Sequence, residues 1–145
     1  MRAGVRAPLV TSAAGHPGRG GSAIVNIGSI YGVVGPDQRL YHAGNGAPPR
    51  YKPVVYSVTK SALLGLTRYL AVHYAGKRLR VNALTLGGVA NGHDPDFTRR
   101  YAQRTPLRRM ACRDEYTSAL LFLLSDASSY MTGTSLVVDG GWTAW

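Results

Sequence analysis

Leu79 to Leu86 read LRVNALTL, an apolar run with Val and Thr, preceded by Gly76-Lys77-Arg78 and closed by Gly87-Gly88. A run this short, bounded by turn signals, suits a buried strand better than a helix. Upstream, Ser22 to Gly28 (SAIVNIG) reads the same way. Between them, Tyr56 to about Tyr74 carries apolar residues at Val58, Ala62, Leu63, Leu66, Leu70 and Val72, the spacing of an amphipathic helix. Gly76 is placed to cap it, with Lys77 and Arg78 beyond. Downstream lies a mostly polar segment, 87–113, with a short helix around Phe97–Arg104. A buried helix follows over Asp114–Ser125, its acidic start suiting a helix N-terminus. A third strand, Ser135–Val138, ends at Asp139-Gly140-Gly141. Strands alternating with helices, each strand apolar on both faces, predict a thin α/β layer on a three-stranded parallel sheet with right-handed crossovers.

The 145 residues suffice for one domain. Residues 1–21, rich in Gly, Ala, Arg and Pro, are a poorly defined lead-in, and Gly32–Pro53 is a long loop. The longest apolar run, Ala119–Leu124, is far below the roughly 20 residues of a membrane span. The N-terminus has no apolar stretch long enough for a signal peptide. The single cysteine, Cys112, excludes an internal disulfide and suits a reducing compartment, so the expected location is the cytoplasm.

The net charge of +10 comes from fourteen arginines and three lysines against seven acids. Nucleic-acid binding is one reading of such a balance. The basic residues are scattered, however, with Arg99-Arg100 and Arg108-Arg109 the only arginine doublets, and no zinc-finger, RNA-binding or basic-arm pattern accompanies them. No nucleic-acid partner is expected. An anionic small ligand, such as a dinucleotide or a phosphorylated or carboxylated sugar, is the milder implication beside plain solvated charge. The histidines at 16, 42, 73 and 93 lack metal-ligand spacing and read as structural.

Residues 56–60 read YSVTK. A Tyr and a Lys four apart share a helix face. A free phenol ionises near pH 10, so one that exchanges protons at neutral pH needs a cation nearby. Alone the pair equally describes a helix start with a solvated lysine.

Its surroundings decide between the two. IVNIGS (24–29), YSVTK (56–60), RVNALTLGG (80–88), SDASSYMTG (125–133) and VVDGGW (137–142) occur in this order. Together they resemble the C-terminal half of a short-chain dehydrogenase/reductase, over residues 22 to 142. The resemblance implies a truncated Rossmann-like, doubly wound sheet across 1–145. It implies hydride transfer between NAD or NADP and a small-molecule secondary alcohol or ketone. Tyr56 would be the general acid/base, Ser29 the serine that hydrogen-bonds the substrate oxygen, and Lys60 the cation that also binds the nicotinamide ribose. Gly87, Gly88 and Val89 would hold the nicotinamide carboxamide, although Leu86 stands where proline is usual. Asn26, Asn82 and Asp139 look like scaffold residues that brace loops. Family members commonly form homo-oligomers through the helix beginning at Tyr56 and the C-terminal segment, which implies the same here.

Two departures stand out. Tyr56 lies 27 positions after Ser29, where the family usually has about a dozen. The extra residues form a substrate-side loop over 35–53, similar to that of sugar-modifying members, including those associated with flagellin glycosylation. Tyr41, His42 and Arg50 are its candidate contacts, and a surface loop without function is the competing reading. The second departure is the missing glycine-rich strand-to-helix turn that cradles a dinucleotide pyrophosphate. Gly18 to Ala23 formally fits G-x-G-x-x-A but precedes a strand, so it does not qualify. GVRAPLVTSAA (4–14) is read as the end of the helix before the serine strand. The alternative makes 9–20 an altered copy of the glycine motif. The family's catalytic asparagine has no counterpart near Arg2–Gly4. The first strand is expected to leave an exposed edge, and the chain is either an oxidoreductase seen through a short reading frame or an inactive fragment or oligomerisation module.

Overall fold

The computed structural model describes residues 10–13, 21–41, 48 and 50–145. One sheet contains β1 (Val10–Ala13), β2 (Ser22–Ile27), β3 (Leu79–Leu86) and β4 (Ser135–Val138), in that order. β2, β3 and β4 are parallel, with Ile24 opposite Val81 and Leu84 opposite Leu136. These are the three strands read from the sequence. The middle of β3, Val81–Thr85, is buried throughout, as a strand covered on both faces requires.

β1 corrects the sequence reading. A helix end was expected over 4–14, and an exposed edge on the first strand. Instead, Val10–Ala13 pair antiparallel with β2, from Val10 opposite Asn26 to Ala13 opposite Ala23. The physical reason is the edge itself: β2 would otherwise present unpaired N–H and C=O groups, and a segment with Val and Thr suits pairing. The rest of 4–14 lies outside the described residues.

α1 (Val54–His73) connects β2 to β3, while α2 (Pro95–Arg104) and α3 (Thr117–Leu124) lie between β3 and β4. Neighbouring strand residues point to opposite faces. Val25 and Leu84 pack against Leu123 of α3, whereas the adjacent Asn26 donates from Nδ2 to Thr67 Oγ1 of α1, 2.9 Å away. α1 and α3 therefore flank the sheet on opposite sides, which makes the layer doubly wound. Gly76, expected to cap α1, sits at φ 76° in the turn just past the helix.

Two helices are less buried than their sequences suggest. In α1 only Leu63, Thr67 and Ala71 are buried against the sheet, while Val58 and Val72, read as its apolar face, are 61% and 77% exposed. The expected helix over 114–125 is a one-turn 3-10 helix, Arg113–Tyr116, followed by α3, whose Leu121 is 60% exposed. Arg80 terminates α3: its guanidinium donates to the carbonyls of Leu123 and Ser125, which satisfies carbonyls that a helix end leaves free. Among the described residues no helix is long and apolar enough to cross a membrane.

The scaffold polar residues have identifiable partners. Asn82 donates to the Met131 carbonyl and accepts from Thr134 N–H, fixing the loop before β4. Asp139 accepts from Gly141 N–H, Thr143 N–H and Thr143 Oγ1. Asn26 is wholly buried, and its Oδ1 has no partner among the described residues, so Thr67 is its main polar anchor.

Replacing Thr67 with Val keeps the shape but strands the Asn26 amide as well. The expected loss is about 1–3 kcal/mol in urea unfolding, the cost of an unsatisfied buried donor. Unchanged stability would show that Asn26 finds another partner. A second test concerns Glu115, whose carboxylate pairs with Arg109 and accepts from Cys112 N–H. The Arg109 bonds and the Cys112 amide hold its pKa down to about 2. A pKa lowered on folding gives stability above the ordinary carboxylate range that is lost as pH falls through the folded value. Glu115→Gln should therefore melt earlier than the parent at pH 7, the two melting temperatures converging as pH falls from about 4.5 to about 2. A constant difference across that range would contradict this.

Candidate active site

β2 runs out at Ile27, and the chain turns through Gly28 and Ser29 into a one-turn 3-10 helix, Ile30–Gly32. Ser29 has extended backbone (φ −156°), and its Oγ accepts from Tyr31 N–H at 3.2 Å, so it starts that turn. The turn then rests on α1. A Cβ at Gly32 would lie 2.6 Å from the Lys60 carbonyl oxygen, so only glycine permits the approach. Ser61 Oγ of α1 donates to the Gly32 carbonyl, 3.0 Å away. This contact sets Ser29 beside the first turns of α1, where Tyr56 and Lys60 stand one helical turn apart.

Lys60 reaches back to the sheet, its Nζ donating to the Ile27 carbonyl at 2.8 Å. Burial pushes its pKa down. Ser29, Tyr56, Lys60, Gly87, Gly88 and Val89, the six residues singled out in the sequence, all line one cleft of about 320 Å³. The cleft lies beyond the carboxyl ends of β2 and β3, where ligands bind in open parallel α/β sheets.

The two glycines have a structural reason of their own. A Cβ on Gly87 would meet the Asp139 backbone at 2.8 Å, and one on Gly88 would meet the Tyr101 ring at 2.6 Å. Their N–H groups donate to the Val138 carbonyl (2.9 Å) and to Tyr101 Oη (2.6 Å). Val89 differs. Among the described residues its N–H and C=O make no hydrogen bond, although it is held in place by a bridge to Ala111. This open backbone and the Lys60 ammonium line the same cleft.

The remaining wall is aromatic. Tyr31 meets Tyr56 edge-on, with ring centroids 6.4 Å apart, and accepts from Tyr41 Oη at 3.1 Å. Burial, then the Tyr41 bond, raises the Tyr31 pKa, while burial also raises that of Tyr101. Tyr101 stacks on Trp142 at 4.3 Å, and Phe97, Met110 and His93 complete the lining. His93, read as structural, therefore faces the cleft.

The long loop contributes one lining residue that was anticipated and one that was not. Tyr41 lines the cleft; Arg50 is exposed and does not; His42 lies outside the described residues. The unanticipated residue is Lys52. Its ammonium sits over the Tyr56 ring, 3.9 Å from the centroid, closer than that of Lys60 at 5.9 Å. Burial, and then the charge of Lys60, push its pKa down. The signal was present in KPVVYSVTK (52–60), where lysines stand four residues before and four after the tyrosine. Pro53 obscures it, because it places Lys52 outside α1 and off the helical repeat.

Residues 8–143 match the family model described as enoyl-(acyl carrier protein) reductase. Among curated relatives, the chain is 38% identical over 133 residues to a galactitol 2-dehydrogenase (L-tagatose-forming) from Cereibacter sphaeroides. That alignment covers 88% of this chain and 48% of the relative. Among solved structures, it resembles a short chain dehydrogenase from Leptospira borgpetersenii with bound NAD+, with TM-score 0.76 and 38% identity. The match covers 83% of this chain and 44% of that one. A gluconate 5-dehydrogenase from Burkholderia cenocepacia in complex with NADP and tartrate follows at TM-score 0.70 and 29% identity, covering 85% and 45%. The chain thus spans about half the length of these relatives. With the family model spanning nearly all of the chain and the parallel sheet matching oxidoreductases of known structure, this chain belongs to the short-chain dehydrogenase/reductase family.

Proposed function

We propose that the cleft is the substrate side of an NAD- or NADP-dependent oxidoreductase acting on a secondary alcohol or ketone, with a sugar-derived compound as substrate. One observation carries the reading: Ser29 from the turn after β2, with Tyr56 and Lys60 one turn apart on α1, opens into the same cleft as these two and the backbone of Val89, which is unbonded among the described residues. The galactitol 2-dehydrogenase relative and the gluconate 5-dehydrogenase neighbour support the substrate class, and both neighbouring structures name a nicotinamide cofactor. The loop over 35–53 is the substrate-side insert.

In this reading Lys60 and Val89 hold the ribose and carboxamide, with Gly87 and Gly88 shaping the turn. When bound, the nicotinamide supplies the hydride acceptor for an alcohol or the donor for a ketone. The protein handles the proton. Ser29 Oγ accepts from Tyr31 N–H, which leaves its own proton to donate to the substrate oxygen and hold it in place. In oxidation Tyr56 takes the hydroxyl proton as the carbon gives up hydride, and in reduction it returns a proton to the carbonyl oxygen. The Lys60 ammonium, one turn along the same helix, favours the charge that Tyr56 carries whenever it is without its proton. The outward apolar residues Val58, Leu66, Tyr69 and Val72 of α1 support a homo-oligomer.

Those outward apolar residues also favour a second reading: a catalytically inactive module that pairs with longer relatives. Titration of the purified chain with NADH and with NADPH, followed by fluorescence, separates the two. Micromolar binding supports the oxidoreductase, and no binding of either supports the module. If the first reading holds, Tyr56→Phe should lower turnover of galactitol or a related polyol by about 10²–10⁴-fold, the usual contribution of a general acid/base, with an unchanged melting temperature. Retained turnover would remove Tyr56 from the proton step.

A further inference from the structure

The cleft contains a cation that the proton chemistry of a neutral alcohol does not require. Lys52 is half-buried, and its ammonium lies against two aromatic rings, 3.9 Å from the Tyr56 centroid and 5.8 Å from that of Tyr31. It makes no hydrogen bond through Nζ and no ion pair among the described residues. None of the described residues lining the cleft is an aspartate or glutamate. The nearest acidic residue in the loop, Asp37, is already engaged by Arg39 at 2.8 Å and Arg104 at 3.5 Å. Lys60 differs in this respect, because its ammonium already has a hydrogen-bond partner in the Ile27 carbonyl.

The position of Lys52 is built. Gln38, in the one-turn 3-10 helix Gln38–Tyr41, uses its side-chain amide as a two-ended clamp. Oε1 accepts from Lys52 N–H at 2.8 Å, and Nε2 donates to the Lys52 carbonyl at 3.4 Å. Pro53 follows with φ −60° and leads directly into α1. The backbone at Lys52 is thus fixed from both sides, which reduces the ordering cost of using its side chain to bind. Contact with an aromatic face returns less than an ammonium loses in hydration on burial, so the site favours an anion beside it.

We propose that Lys52 is a specificity residue that selects hydroxy or keto substrates carrying an anionic oxygen group, a carboxylate or a phosphate. The inference rests on the cleft being a substrate site, and deepens that reading by naming the substrate's charge. The anionic group pairs with the Lys52 ammonium, while the reacting carbon lies nearer Ser29 and Tyr56. The loop over 35–53 thereby contributes selectivity without altering the residues that move the proton.

The test is a calorimetric titration of the full chain, at fixed ionic strength, with three compounds sharing one carbon skeleton. D-gluconate carries the carboxylate, D-glucitol 6-phosphate the phosphate, and D-glucitol neither. At least one charged member should bind about tenfold or more tightly than D-glucitol, the size of one charge-assisted hydrogen bond. The stronger of the two identifies the group. Lys52→Gln should bring that affinity down to the D-glucitol level, and Lys52→Arg should keep most of it. Equal binding of all three, undetectable binding of all three, or an equal loss for charged and neutral compounds in Lys52→Gln overturns the proposal. An equal loss accompanied by a shifted pH profile of turnover would instead assign Lys52 to the charge of Tyr56. Charge-selective binding without nicotinamide binding or turnover would sink the oxidoreductase reading and leave this one standing. Turnover indifferent to substrate charge would do the reverse.

Discussion

The contact between the turn after β2 and the second turn of α1 organises everything near the cleft. Parallel strands need a crossover, and this crossover returns α1 across the sheet with its N-terminal end at the strands' carboxyl ends. Two features lock it. Gly32 lets backbone meet backbone at Lys60, and Lys60 sends its ammonium to the Ile27 carbonyl at the end of β2. A side chain at position 32 would separate the turn from the helix, and Ser29 from Tyr56 with it. The lysine proposed to meet the cofactor also ties helix to strand, so its placement is set before any ligand arrives.

Against that frame, the legible and the illegible parts of the sequence have different physical origins. LRVNALTL, SAIVNIG and the YSVTK helix were readable because two-sided burial and helical spacing are written locally. The bounds of β3 and β4 agree with the reading. β1 was not readable, since VTSA becomes a strand only through its partner, the unpaired edge of β2. The burial of α1 and α3 was overestimated for a related reason. Periodicity finds apolar positions but not which of two apolar stripes meets the sheet, and Thr67, a polar residue, lies on the inward side. In the cleft, residues of one helix or one strand end were found, whereas Lys52, Tyr31 and Tyr101 reach it by tertiary packing.

The glycines of LGGVA have a packing role beside the one read from the sequence. Sequence reasoning gives Gly87 and Gly88 to close approach by a cofactor. The structure shows them already crowded by Asp139 and by Tyr101, which brings β4 and α2 against the end of β3. The backbone left with unused hydrogen-bonding capacity belongs to Val89, one residue further on. Packing thus forms the turn, and the open amide pair is its consequence.

Charge shows the same distinction between amount and place. A balance of +10 points at nucleic acid when only counted. Located, much of it is absorbed locally: Arg80 closes the end of α3, Arg109 pairs with Glu115, and Arg39 and Arg104 share Asp37. Arg113 donates to Asn91 and Arg108 to the Gln103 carbonyl. Most of these groups are exposed and in contact with water, where a positive charge costs little and attracts partners only through a screened field. Lys52 is different in kind, because it is half-buried among aromatic rings in a cleft without a carboxylate. A half-buried ammonium discriminates between ligands more sharply than fully solvated guanidinium groups, since its interaction is screened less by water. The position of that one charge, more than the sum of all seventeen, is the electrostatic property that bears on what this cleft accepts.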